Sequence, residues 1–158
     1  MKIAIVITAK NEERLLKRNL QYHFEVGVSK AYIYFDGATD GGPKSISDMP
    51  GVELQDSVKE DKYSHLSYLN KFTSKAEEHH TARQCLNTYD AILKCRRDNV
   101  DWLISIDADE LIIADKKEPK SLETLFHGLP ESIDLVHFDT KEAVQRKIEY
   151  QNVFAEET

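Results

Sequence analysis

Short β-branched runs alternate along this chain with longer stretches of helical period. The first run, "KIAIVITA" at residues 2–9, is almost continuously apolar, which is typical of a strand buried on both faces of a parallel sheet. Similar runs predict four more strands, "KAYIYFD" (30–36), "GVELQ" (51–55), "WLISID" (102–107) and "IDLVHFD" (133–139). The turn-rich "DGATDGGP" closes the second strand.

Two longer stretches have the spacing of amphipathic helices. The first is predicted to open with Asn11 as its N-cap and to stop at Gly27. The second starts at His79, and its predicted core positions are Ala82, Cys85, Leu86, Tyr89, Ile92 and Leu93. Ser121 is predicted to cap a short third helix, and residues 56–78 are predicted to form a long loop that includes one helical turn.

The alternation of strands and helices predicts an α/β fold with a mostly parallel sheet flanked by helices. Ligands of open α/β sheets bind beyond the carboxyl ends of the strands. Three predicted strands end in polar residues, at 8–12, at Asp36 and at 107–110. If these strands are neighbours, the three clusters meet at one edge, and we predict the binding site there.

Composition limits the classes of function. A length of 158 residues is typical of one domain. The net charge of −7 argues against binding to nucleic acid. No apolar run is long enough for a membrane span or a signal peptide. Cys85 and Cys95 lie too far apart along one helix to form a disulfide, which favours a reducing, cytoplasmic location. Peripheral attachment to a membrane, at its inner face, stays open.

The acidic segment after the fourth strand suggests metal chemistry. Asp107 and Asp109 are two residues apart, so a continuing strand would carry both on one face, where they could bind a hard divalent cation. The alternative is an acid-rich surface turn. Asp36 is either a turn residue or an acceptor for a ribose or base. Arg83 and Asn87 lie one helical turn apart and either approach a phosphate or are solvated. Zinc binding by His79 and His80 is not favoured, because neither cysteine lies nearby.

Three motifs in order resemble the nucleotide-sugar-binding half of GT-A glycosyltransferases. They are "IAIVITAKNEERLLKRNLQYH", "YIYFDGATDGG" and "WLISIDADELI", and they resemble family 2, with the last closer to family 92. The resemblance implies a single GT-A-like domain over 1–158, with a Rossmann-like nucleotide-diphospho-sugar transferase fold. Residues 1 to about 113 would bind the nucleotide sugar, and 114–158 would begin the acceptor part.

The resemblance also implies roles for individual residues. Thr8, Ala9 and Glu12 would line the base pocket, and Asp36 would contact the uridine or ribose. Arg83 would lie near the diphosphate. The metal, Mn²⁺ or Mg²⁺, would be held by Asp107 and Asp109, with Asp107 also able to contact the ribose. The implied donor is a nucleoside-diphosphate sugar, with a UDP-sugar favoured, and the implied acceptor is a glycan or a lipid-linked acceptor.

The chain departs from the resemblance after the acidic motif. GT-A enzymes continue into an acceptor half that carries the catalytic base, whereas only about 45 residues follow here. Asp139 and Glu142 are the weak candidates for that base. Three explanations stay open: a truncated chain, a natural short form, or a non-catalytic nucleotide- or metal-binding module. A haloacid-dehalogenase-like phosphohydrolase is a further alternative, although "ISIDADE" comes too late in the chain for that class.

Overall fold

The computed structural model describes residues 1–113 and 122–156. The chain divides into two units, residues 1–128 and residues 129–158. The first unit contains a four-stranded sheet, made of β1 (Ile3–Ala9), β2 (Lys30–Phe35), β3 (Val52–Asp56) and β4 (Trp102–Ser105). All neighbouring strands are parallel, in the order β3-β2-β1-β4. The predicted α/β fold, a Rossmann-like parallel sheet flanked by helices, is confirmed.

The helices connect the strands much as the periodicity predicts. In the first unit they are α1 (Glu13–Glu25), α2 (Gly42–Ile46), α3 (Asn70–Thr73), α4 (His80–Asp98) and α5 (Leu122–His127). The second unit contains α6 (Val153–Glu156). The predicted loop at 56–78 contains α3 and a preceding 3₁₀ turn, Ser67–Leu69. The predicted cap Ser121 lies outside the described residues. In the part of the chain that the structure describes, no helix is both long and apolar enough to cross a membrane.

The strand order creates a switch point between β1 and β4. From β1 the chain moves outward through β2 to β3, and it then crosses back to place β4 on the other side of β1. Crossovers between parallel strands are right-handed, so α1 and α2 cover one face of the sheet and α4 covers the other. In open α/β sheets such a reversal leaves a crevice at the carboxyl ends of the two strands.

The core has one layer on each face of the sheet. On one face Val6 and Tyr34 pack with Leu86 of α4 in a buried apolar cluster. Because side chains alternate along a strand, Ile5 and Ile33 point to the opposite face, and both are fully buried. This two-sided burial explains why the first two strands have almost no polar residues.

The start of α1 differs from the prediction, whereas its end agrees with it. Glu12, not Asn11, occupies the N-cap position, and Asn11 has a φ of 58°. The side chain of Asn11 instead accepts a hydrogen bond from the backbone N–H of Thr39 at 2.8 Å. The N-cap prediction is therefore wrong, because the asparagine fixes the neighbouring turn. Gly27 follows the helix with a φ of 114°, a conformation that favours glycine.

The predicted strand at 133–139 is also wrong. These residues are described, and they form neither a strand nor a helix. Leu135 is 86% exposed, so the apolar alternation of this segment is not matched by burial. A strand needs a hydrogen-bonded neighbour, and the segment is not part of the four-stranded sheet.

The buried face of α4 is more polar than its sequence pattern suggests. Ile92 and Leu93 are 41% and 36% exposed, so these two predicted core positions are wrong. The buried residues of the helix are Ala82, Leu86, Asn87, Asp90, Ala91 and Cys95. Two polar side chains, Asn87 and Asp90, thus occupy positions where an apolar stripe would place leucine or isoleucine.

Truncation of α4 side chains should separate its two faces. Leu86→Ala should lower the free energy of unfolding by about 2 to 5 kcal/mol, because it leaves a cavity in a fully buried layer. Ile92→Ala should cost about 1 kcal/mol or less, since the side chain is partly solvated already. Urea denaturation measures both, and equal losses would contradict the observed helix orientation.

Candidate functional site

The four parallel strands end at one edge of the sheet, and the polar residues predicted to follow the strands lie there. Thr8 and Ala9 are the last residues of β1, and Asp36 directly follows β2. β4 pairs with β1 up to Ser105, two residues before Asp107. The structure therefore brings the three predicted polar clusters to the same edge, beside the crevice between β1 and β4.

Asp36 is held in a buried ion pair with Arg83. The Nε of Arg83 donates to Oδ1 of Asp36 at 2.6 Å, and its Nη2 donates to Oδ2 at 2.9 Å. His80 Nδ1 lies 2.8 Å from the same Oδ2. The hydrogen bonds from Arg83, supported by His80, lower the pKa of Asp36 to about 2 despite its burial. Asp36 is thus an oriented, ionised carboxylate and more than a turn residue.

The side chains of Arg83 and Asn87 both make hydrogen bonds within the protein. Nη1 of Arg83 donates to the backbone carbonyls of Ala76 and Glu77, so its guanidinium joins Asp36 to the loop before α4. Asn87 is fully buried. The alternative that Asn87 is solvated is therefore wrong, and Arg83 is engaged by the protein although its side chain is 23% exposed. The two positions look exposed in the sequence because polar residues usually mark the outer face of a helix.

Asn87 connects the end of β1 to the loop after β3. Its amide group donates to the hydroxyls of Thr8, at 2.9 Å, and Ser57, at 3.0 Å. Its carbonyl oxygen accepts the backbone N–H of Val58 at 2.8 Å. The carbonyl of Ala9 accepts the backbone N–H of Asp36 at 2.9 Å. The carboxyl ends of β1, β2 and β3 are therefore cross-linked by polar contacts.

The segment 107–110 is a tight turn after β4, and not a continuation of the strand. The backbone N–H of Glu110 donates to the carbonyl of Asp107, and the Glu110 carboxylate accepts the N–H of Asp107 at 3.0 Å. Gln84 Nε2 donates to Oδ1 of Asp107 at 3.0 Å. Asp107 and Asp109 are exposed, whereas Ala108 between them is buried. Both predicted ligands thus face solvent at the edge of the sheet, and Glu110 is used inside the turn.

Negative charge accumulates around Glu12, at the start of α1. Its pKa is raised first by burial and then by the charges of Asp109 and Asp40, with a smaller contribution from Asp107. Arg14 partly opposes this effect. The carboxylates from the ends of β1 and β4 are therefore near enough to repel one another, which is the electrostatic condition that a bound cation relieves.

The two carboxylates of the acidic turn suit a cation that takes most of its ligands from substrate phosphates and water. Within residues 1–113 and 122–156, no three His, Cys, Asp or Glu side chains are grouped so as to hold a metal ion. Mg²⁺ and similar hard cations are commonly bound through one or two carboxylates plus substrate phosphates and water. Two exposed carboxylates fit that arrangement, and they do not fit a closed structural metal site.

Three side chains of α1 hold the segment that follows the acidic turn. Asn19 Nδ2 donates to the backbone carbonyls of Ala108, at 3.0 Å, and Glu110, at 2.6 Å. Tyr22 donates to the carbonyl of Ile112 at 3.0 Å. His23 Nε2 accepts the N–H of Ile112 at 3.2 Å. We call Asn19, Tyr22 and His23 the α1 latch.

The latch requires a neutral His23. Because Nε2 accepts a hydrogen bond, the ring proton must lie on Nδ1, which is 2.9 Å from both the side-chain and the backbone oxygen of Asn19. His23 is fully buried, and this burial lowers its pKa to about 4. The spacing 19, 22, 23 marks one face of a helix, but nothing in the sequence indicates that this face meets a backbone segment 89 residues away.

Asp90 of α4 is a second buried carboxylate that the sequence pattern missed. Tyr34 donates to its Oδ2 at 2.6 Å, and Tyr63 and Lys62 donate to its Oδ1. Burial alone would raise the pKa of Asp90, but the hydrogen bonds from Lys62 and Tyr34 outweigh it and hold the pKa at about 2. Asp90 lies four residues after Leu86 and therefore on the same buried face of α4. This spacing is the sequence signal that could have predicted its burial.

The candidate catalytic residues Asp139 and Glu142 lie in the second unit. Both side chains are exposed, and the nearest recorded partner of Asp139 is His137, at 4.0 Å. Neither residue has contacts that would set it apart as a proton acceptor, so their assignment stays a prediction.

Comparisons with known proteins add a class of function. No family model matches the chain. Two proteins of Arabidopsis thaliana, both named glycosyltransferase-like, are similar to it. One is 26% identical over 145 residues, which covers 85% of this chain and 32% of that protein. The other is 24% identical over 147 residues, covering 87% and 29%. The chain spans about a third of the length of these relatives. These likenesses support a glycosyltransferase family.

Removal of Arg83 should test whether it supports Asp36. Arg83→Ala should lower the free energy of unfolding by about 3 kcal/mol, since it leaves a buried carboxylate without its main partner. Asp36→Asn should reduce that loss, so the double variant should lose less than the sum of the two single variants. Urea denaturation of the four proteins measures this coupling, and additive losses would show that the pair is energetically unimportant.

The stability of the protein should depend on pH through His23. Its pKa is about 4 when folded and about 6.5 when unfolded, so the unfolded state binds more protons below pH 6.5. Protonation of His23 therefore has no effect on stability above that pH. The free energy of unfolding should fall by up to about 3 kcal/mol as the pH drops to 4. Denaturant titrations of wild type and His23→Gln measure the effect. The variant should have a flatter profile in this window, and parallel profiles would contradict the assignment.

Proposed function

We propose that this chain forms the nucleotide-sugar-binding part of a metal-dependent glycosyltransferase of the GT-A type, similar to families 2 and 92. The reaction transfers a sugar from a nucleoside diphosphate to an acceptor hydroxyl. The proposed donor is a UDP-sugar, and the proposed acceptor is a glycan or a lipid-linked acceptor. The glycosyltransferase-like names of the two relatives support the general class, and the arrangement of the sheet edge supports the finer assignment.

One observation carries the proposal, namely the excess negative charge at the switch point between β1 and β4. Glu12 comes from one side of the crevice, and Asp107 and Asp109 come from the other. The pKa of Glu12 is raised first by burial and then by the charges of Asp109 and Asp40, with a smaller contribution from Asp107. A crevice that binds ligands and accumulates uncompensated carboxylates is suited to a cation that arrives with an anionic ligand.

The chain's own residues would contribute in two groups. Thr8, Ala9 and Glu12 would line the base pocket, and Asp36 would accept a hydrogen bond from the uridine or ribose. Because Arg83 is engaged with Asp36, its proposed role is to keep that carboxylate ionised and oriented. The diphosphate would lie farther along the edge, toward β4.

Asp107 and Asp109 would hold the Mn²⁺ or Mg²⁺ ion on the diphosphate side. When bound, such an ion stabilises the negative charge that develops on the departing diphosphate. Gln84 orients Asp107 through its hydrogen bond to Oδ1, and the Glu110 carboxylate closes the turn beneath the pair. These contacts would hold Asp107 and the backbone of the turn in place before the donor binds.

A groove next to Asp107 supplies room for the transferred sugar or its acceptor. Its volume is about 550 Å³, which lies within the usual range of small-molecule sites. Phe72 and Tyr89 provide aromatic surface, while Thr88 and Ser105 provide hydroxyl groups. The proton acceptor of the transfer is not assigned, and Asp139 and Glu142 are the weak candidates that the sequence offers for it.

Asp109→Asn should test the metal site directly. The change removes one negative charge while keeping the shape of the side chain. It should abolish the Mn²⁺-dependent part of UDP binding, measured by calorimetry with and without the metal. The metal-free variant should be at least as stable as wild type, since repulsion of Glu12 is reduced.

Asp61→Asn is the matched control, because Asp61 is an exposed aspartate on the loop after β3. It should leave UDP binding unchanged with and without Mn²⁺. Wild-type Mn²⁺ dependence in Asp109→Asn would overturn the proposed site. In the wild-type protein, failure of UDP to bind at all in the presence of Mn²⁺ would overturn the proposed function.

A further inference from the structure

The acidic turn lies at a point where the chain has left the sheet. The last backbone contact of this region with β1 is the hydrogen bond from the Ile106 N–H to the Val6 carbonyl. Beyond it, the backbone of 108–112 is bound by side chains of α1. Within the latch, Asn19 contacts the residues on both sides of Asp109, namely Ala108 and Glu110.

The hydrogen-bonding capacity of Asn19 is matched to this contact. Its two amide hydrogens bind two carbonyls, and its side-chain oxygen faces the Nδ1–H of His23. An aspartate would place a negative charge against two carbonyl oxygens, and a leucine would leave both carbonyls buried without a donor. The requirement is therefore for an amide at this position of α1.

The same helix also fixes the turn after β2. The backbone N–H of Glu13 donates to the carboxylate of Asp40 at 2.8 Å, and the Glu13 carboxylate accepts the N–H of Gly41 at 3.1 Å. One end of α1 thus holds the turn that follows Asp36, and its later turns hold the acidic turn. The relative placement of the two polar clusters depends on one rigid element.

We infer that Asn19, supported by Tyr22 and His23, is a positioning residue that sets the geometry of Asp107 and Asp109 for the cation and the diphosphate. It touches neither group and acts through the backbone of 108–112. This inference rests on the proposed function, because it concerns the same metal site. Partners that orient metal ligands typically contribute roughly 10- to 100-fold to metal affinity.

The test compares Asn19→Ala with Leu20→Ala. Leu20 is the next residue of α1 and is fully buried, so its truncation destabilises the helix without removing a hydrogen bond to the acidic turn. Calorimetry with UDP and Mn²⁺ is run at a temperature at which both variants are folded. Asn19→Ala should weaken the Mn²⁺-dependent binding of UDP by roughly 10- to 100-fold. Leu20→Ala should leave it within about twofold of wild type, and an equal loss in both variants would overturn the inference.

A double-variant cycle with Asp109→Asn distinguishes positioning from general damage. If Asn19 acts through the carboxylates, Asn19→Ala should cause no further loss of UDP affinity once Asp109 is asparagine. A further loss of the same size would overturn the inference. Tyr22→Phe removes only the hydrogen bond to Ile112, and a loss of roughly two- to tenfold is expected. It replaces Asn19→Ala if that variant does not fold, and unchanged affinity would then overturn the inference.

Hydrogen exchange of the metal-free protein gives a readout that does not depend on the donor. Asn19→Ala should accelerate exchange of the Glu110 and Ile112 amides more than Leu20→Ala does. Equal acceleration in the two variants would show that Asn19 does not specifically hold this backbone segment, and it would overturn the inference. The wild-type titration reports on the proposed function separately. If wild type binds UDP with Mn²⁺ and Asn19→Ala binds equally well, only the positioning role fails, whereas absence of wild-type binding overturns both.

Discussion

The central strand β1 is the constraint on which the rest of the structure depends. It is hydrogen-bonded on both sides, to β2 and to β4, and its register aligns Val6 with Tyr32 on one side and with Ser105 on the other. Parallel pairing forces all the strand ends to one edge. Once β1 is buried, Thr8, Asp36 and Asp107 are brought to that edge regardless of their own interactions. Residues scattered over 100 positions therefore form one cluster.

The two helices beside β1 refine this arrangement in different ways. α4 reaches across the strand ends with Arg83 and Asn87, and it binds Asp36 and Thr8 with side-chain contacts. α1 works through backbone groups, because Asn19 binds carbonyls of the acidic turn. The first mode fixes the charge of a carboxylate, and the second fixes the path of the chain. The proposed site would use both, since Asp36 would need a fixed charge to accept a hydrogen bond from the donor and the proposed metal ligands would need a fixed position.

The sequence predicts what depends on short-range periodicity. Short runs rich in apolar residues identify the four observed strands, and Gly27 marks the end of α1 because its backbone conformation favours glycine. Prediction from periodicity fails where one polar residue replaces an apolar one on the buried face of a helix. Asp90 is buried because Lys62 and Tyr63, from a loop almost 30 residues earlier, reach it, and no local pattern contains that information. The strand prediction at 133–139 is wrong for the converse reason. The alternating pattern is present there, but the segment has no neighbouring strand to pair with.

In the first unit, the carboxyl groups whose pKa values are shifted fall into two electrostatic classes, and this difference favours the proposed site more than the size of any shift does. Asp36 and Asp90 are buried, and the protein supplies their counter-charges or hydroxyl donors, so their pKa values fall. Such shifts are expected of a structural network as much as of a binding site. Glu12 behaves in the opposite way, because burial and then the charges of neighbouring carboxylates raise its pKa. Among the described residues, no hydrogen bond or ion pair satisfies the side chain of Asp109. A folded protein tolerates uncompensated charge of this kind at an exposed edge, and an external cation is the simplest partner for it.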